Sequence, residues 1–95
     1  MSSEAHQDAM ALLRAMKERH DQHNPDEPLS EGTRLAPELV SERVGVEPGT
    51  MRYERALRYL VSEGTLVWEE RLGGAPGVDF YLITRRGLDM LSRNE

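Results

Sequence analysis

The sequence predicts an α+β fold: a mainly helical three-helix core, a two- or three-stranded β element and a short C-terminal helix. Three observations lead there. Apolar residues recur at helical spacing over residues 4–22 and again over 48–63. Two apolar-rich runs, 65–72 and 78–84, flank a glycine-proline tip at 73–77, the pattern of a hairpin. A last apolar-patterned run, 85–93, follows Thr84, which can cap a helix. With 95 residues there is room for one modest core, so residues 1–95 are expected to form a single domain.

Each element has its own signal. In the first helix Ala5, Ala9, Leu12, Leu13 and Met16 share a face, Ser2 or Ser3 can cap the start, and Asn24-Pro25 ends it. Residues 24–33 are rich in proline and acids and read as a solvated loop, after which Leu35 belongs to a very short strand or an extended entry. A second helix is predicted over Pro37–Val44, with proline in the first turn and Leu39 and Val40 facing inward. Gly45 makes a tight turn, Val46 plugs the angle between helices, and Pro48 opens a third helix that runs to Gly64. Trp68 and Leu66 share one strand face, as do Tyr81 and Ile83, and core packing is expected for them. Val67, Phe80 and Leu82 make the opposite face apolar as well. Leu88 and Leu91 would close the core from the last helix.

Composition excludes several classes. There is no cysteine, hence no disulfide or thiolate metal site. No apolar run reaches the roughly 20 residues of a membrane span and no signal-peptide pattern is present, so a soluble cytoplasmic protein with no membrane partner is expected. Neither nucleophile–base arrangements nor phosphate-cradling glycine motifs occur, so the chain reads as a binding protein, not an enzyme, with no cofactor. His20 and His23, at i and i+3 with Asp21 and Asp26 nearby, superficially suggest a metal site. They lie at a helix end with no third ligand implied, and no metal is expected.

Charge is unevenly placed. Residues 1–50 carry five basic and ten acidic groups, the whole net charge of −5, whereas 51–95 carry seven of each. Eleven of the twelve basic residues are arginine, the side chain suited to bidentate contacts with phosphate or guanine. At about 100° per residue, Thr50, Tyr53, Leu57, Leu60 and Val61 fall in one arc of the third helix. Arg52, Arg55, Arg58 and Tyr59, with Met51 and Ser62, fall in the opposite arc.

Residues 35–67, LAPELVSERVGVEPGTMRYERALRYLVSEGTLV, resemble the helix-turn-helix core of winged-helix transcription regulators of the GntR and MarR type. Residues 81–91, YLITRRGLDML, are similar to the ending of MarR- and PadR-like regulators, where a Tyr-x-Leu-Thr-x-x-Gly pattern leads into the last helix. The resemblance implies a winged helix-turn-helix fold, with the helix-turn-helix at 35–64, the wing at 65–84 and the C-terminal helix at 85–93. It implies a regulator that reads double-stranded DNA in the major groove with the helix 48–63.

On that reading Thr50, Arg52 and Arg55 meet base edges, Arg58 meets the backbone, Tyr59 extends the arginine row and Arg71 serves the wing. The competing reading of this face is a solvated surface on which Glu54 pairs with Arg58 at i, i+4. Glu69, Glu70 and Asp79 crowd Arg71, and Arg85 and Arg86 stand at a helix N-terminus, where the macrodipole disfavours cations. A homodimer formed through the N-terminal helix would supply two half-sites, although that helix can equally bury its stripe within its own domain. The alternative function is a winged helix that docks a protein partner through its acidic half or its apolar sheet face. A third is small-molecule sensing between the first helix and the wing, which no polar cluster in the sequence marks.

Overall fold

The computed structural model describes residues 4–70 and 77–93. Its elements are α1 (Glu4–His23), β1 (Arg34–Leu35), two consecutive 3-10 turns (Pro37–Leu39 and Ser41–Val44), α2 (Met51–Ser62), β2 (Leu66–Glu69), β3 (Phe80–Ile83) and α3 (Arg85–Arg93). The antiparallel sheet has the order β1-β3-β2, and the described residues make a small α+β fold of three α-helices and three strands. Among the described residues no helix is long and apolar enough to cross a membrane.

α1 forms because its apolar residues repeat at helical spacing, and it buries Ala9, Met10, Leu12, Leu13, Ala15 and Met16. That face packs against α2, both 3-10 turns and α3. The stripe considered for a homodimer contact is therefore covered by the chain's own core.

The helix expected over 37–44 is instead a pair of 3-10 turns. Val40 N–H donates to Pro37 O and Arg43 N–H to Val40 O, bonds spanning three residues rather than four. Val40 itself has φ −119°, off the helical value, which separates the turns. Ser41 Oγ donates to Glu38 O at 3.2 Å, a local bond that competes with a continuous helix. With about 120° between successive residues in a 3-10 turn, neighbours cannot share a face. Val40 is fully buried, and Leu39, expected inward, is 45% exposed.

α2 starts later than predicted. Pro48-Gly49 occupies the centre of a turn in which Gly49 has φ +83° and Thr50 N–H donates to Glu47 O. Proline followed by a positive-φ glycine is the preference of a type II turn, so Pro48 precedes the helix and Thr50 caps it. Tyr53, Ala56 and Leu60 are buried, Leu57 packs at the margin, and Val61, expected in the buried arc, is exposed. The helix ends as a Schellman motif: Gly64 at φ +75° donates to Val61 O, and Thr65 N–H donates to Leu60 O.

In the sheet, Leu66 pairs with Ile83, Val67 with Leu82, Trp68 with Tyr81 and Glu69 with Phe80. Leu66, Ile83 and Tyr81 are buried, but Trp68, on the same face nearer the hairpin tip, is 50% exposed. Burial of that face fades along the strand, so Trp68 is not the core residue the sequence pattern suggested. Val67 on the other face is 54% exposed, with Leu82 and Phe80 half-buried. Arg71 and most of the tip lie outside the described residues.

The chain around Tyr81–Gly87 is tied to the end of α2. Thr84 N–H donates to Thr65 O at 3.0 Å, and Thr84 Oγ1 donates to Gly64 O and accepts from Gly87 N–H at 3.2 Å, capping α3. Gly87 has no room for a side chain, since a Cβ there would lie 2.6 Å from Thr65 O and 2.8 Å from Ile83 Cγ1. The spacing of Thr84 and Gly87 thus has a packing cause. Gly87→Ala should lower stability by about 1–3 kcal/mol despite better helix propensity. Urea denaturation checks this; an unchanged midpoint would show that α3 can move away from Thr65 without loss.

Candidate nucleic-acid interface

α2 is held by its inner face, and its outer face carries Met51, Arg52, Glu54, Arg55, Arg58 and Ser62. The six residues singled out for DNA contact do not share one role there.

Thr50 is committed to the helix start. Its Oγ1 donates to Glu47 O at 2.7 Å and accepts from Tyr53 N–H at 3.2 Å. Arg52 folds back on α1, where Nε and Nη2 reach the two carboxylate oxygens of Asp8 at 2.7 and 2.9 Å. Glu4 adds a longer contact at 3.5 Å. The hydrogen bonds and then the charge of Asp8 raise the Arg52 pKa further above its already high value. Tyr59, placed by the helical wheel on the arginine side, turns toward α1 instead. It is half-buried, its hydroxyl lies 2.7 Å from His6 Nδ1, and the two rings meet edge to face.

Arg55 and Arg58 remain outward. Both are exposed, and among the described residues neither makes a hydrogen bond or ion pair through its guanidinium. The Glu54–Arg58 pairing that would mark a solvated face is not formed. Met51, 71% exposed, lies one turn before Arg55 on the same stripe. Next to the start of α2, Glu42, Glu47, Thr50 and Arg52 line a shallow depression whose acids oppose a polyanion. Arg85 and Arg86 find carboxylates, Asp89 at 3.9 Å and Glu63 at 3.7 Å. Arg71 lies outside the described residues.

Sequence reasoning missed Asp8, Glu4 and His6, the groups on α1 that engage α2. One signal was available, since Asp8 interrupts an apolar helical face with a charge that burial makes costly unless paired. His20 and His23 bond to backbone, His20 Nε2 with Glu27 O and His23 Nδ1 with Arg19 O. Among the described residues no group of three or more His, Asp or Glu could hold a metal ion. No family model, curated protein or solved structure matches the chain.

Asp8 is nearly buried and Arg52 half-exposed, so removing Arg52 strands a carboxylate, whereas removing Asp8 frees a cation into water. Arg52→Ala should therefore destabilise more than Asp8→Ala, and the double variant should be more stable than Arg52→Ala alone. Chemical denaturation of the three variants decides this; strict additivity would mean that the pair is not coupled.

On the inner face of α2, burial, and then the charge of Glu38, pushes the Tyr53 phenol far up. Tyr81 moves in the same direction, through burial and then Asp79. The unfolded chain gives up these protons near pH ~10 while the folded one keeps them. Unfolding then releases protons, and stability present below that pH is lost as pH rises above it. Melting curves from pH 8 to about 11 should show an alkaline decline that Tyr53→Phe makes shallower. An identical decline in the variant would remove Tyr53 from the account.

Proposed function

We propose that this chain is a winged helix-turn-helix protein that binds double-stranded DNA and regulates transcription, with the outward face of α2 as its contact surface. The order helix, short strand, turn-rich segment, helix, strand, strand, helix, with β1 beside β3, is compatible with that layout. The observation that carries the reading is the pair of unengaged guanidiniums, Arg55 and Arg58, one turn apart on the exposed side of a helix fixed from behind. Guanidinium groups so presented suit phosphate oxygens or guanine edges.

The footprint is narrower than the sequence suggested. Arg52 positions α2, Thr50 caps it and Tyr59 docks it on α1, so these three are supports rather than contacts. Two cations per chain give modest binding with a logarithmic salt slope of about −2. A second copy, joined through a surface other than the buried stripe of α1, would double it. A second reading, docking of a protein partner, draws on one sheet face, where exposed Val67 lies beside half-buried Leu82 and Phe80.

Fluorescence anisotropy with a random duplex at low salt separates the two. Arg55→Ala/Arg58→Ala should weaken binding by at least about tenfold. Asp8→Ala/Arg52→Ala, which leaves net charge unchanged, should alter it by less than about threefold. Wild-type affinity in the first variant, or no duplex binding at any salt, would remove the proposal and leave protein docking as the better reading.

A further inference from the structure

We infer that the groove between the second half of α1 and the β1–β3 edge binds a small carboxylate with a compact apolar body. The groove has a volume of about 240 Å³, the share of liquid taken by on the order of eight waters. Met16, Leu35 and Ala36 form its buried floor, and Leu39 and Phe80 form its walls. Leu39, turned out of the core by the 3-10 geometry, supplies part of this wall.

Among the described residues, the formal charges in the lining are those of two arginines. Arg19, Arg34, His20, His23 and Asn24 border the groove, and no carboxylate lines it, in a chain with 17 acidic and 12 basic residues. Glu69 answers Arg34, which leaves Arg19 as the excess cation of the groove in a chain of net charge −5, and an excess cation favours an anion. Arg34 lies over the Phe80 ring at 5.3 Å and reaches Glu69 at 2.8 Å, so one fork at this groove already holds a carboxylate. The Arg19 guanidinium has no hydrogen-bond or ion-pair partner among the described residues. Its planar fork is the receptor for the ligand's carboxylate.

An inorganic anion would leave the floor of Met16, Leu35 and Ala36 wet, and a neutral apolar molecule would leave Arg19 unused. A carboxylate carrying about six to nine carbons meets both requirements. No residue of α2 lines the groove, so the site stands independently of DNA binding. Arg19 and Arg34 come from segments 15 residues apart in the chain and meet only through the fold.

The test is amide-shift titration of the full chain with hexanoate and with 3-phenylpropanoate, against hexanamide, 3-phenylpropanamide, acetate and inorganic phosphate. Saturable shifts at residues 16–24, 34–39 and 80 are expected for at least one of the two apolar acids, with the four comparison compounds at least about tenfold weaker. Arg19→Gln should weaken the acid by about tenfold without changing amide binding. Leu39→Ser, an exposed position that leaves the fold intact, should weaken acid and amide alike. Equal affinity for acid and amide, phosphate binding as tightly as the acids, no saturable shifts up to millimolar ligand, or undiminished binding in Arg19→Gln would each overturn the assignment.

Discussion

α1 lies across the inner face of α2, and this contact decides what α2 can show to solvent. The apolar part is the cluster of Ala9, Leu12, Leu13 and Met16 with Ala56 and Leu60, all buried. Two polar contacts fix the rotation of the helix about its axis: Asp8 with Arg52 and His6 with Tyr59. Burial of apolar area is non-directional and would tolerate some sliding. A two-pronged guanidinium–carboxylate pair is directional and tolerates little. With the helix so fixed, Arg55 and Arg58 have nowhere to point but outward.

The same arginine chemistry serves two ends here, and position separates them. A guanidinium within reach of a nearly buried carboxylate is taken by the fold, because the carboxylate's desolvation is offset only when it is paired. One turn further along, among the described residues, no acid comes within ion-pair distance of Arg55 or Arg58, and both guanidiniums stay in solvent. Arginine count on a helix is therefore a poor measure of its capacity for nucleic acid; the count left after internal pairing is the useful one. In the groove at the other end of α1, the Arg19 guanidinium is likewise unpaired among the described residues, here beside apolar side chains.

Much of the fold was legible from local pattern. α1, the Gly64 stop, the hairpin and α3 follow from periodicity and from glycine and threonine placement, which act over a few residues. What was not legible depended on distance or on subtle turn energetics. Arg52 finds a partner 44 residues away, and Tyr59 one 53 away, contacts that a helical wheel cannot show. The 37–44 segment carries helix-compatible residues, yet the Ser41 bond to Glu38 and the backbone at Val40 tighten it into 3-10 turns. Trp68 alternates correctly with Leu66, but alternation says nothing about where along a strand the covering helices stop. Of the candidate site, the helix and its two outward arginines were legible; the supporting roles of Thr50, Arg52 and Tyr59 were not.

The most direct test is to watch which amides respond when isotopically labelled chain is titrated with random duplex DNA at low ionic strength. Met51, Arg55, Arg58 and Ser62 are expected to shift first while Tyr53, Ala56 and Leu60, on the locked side, stay nearly still. Shifts confined to β2 and β3, or a spectrum that the duplex leaves untouched, would contradict it.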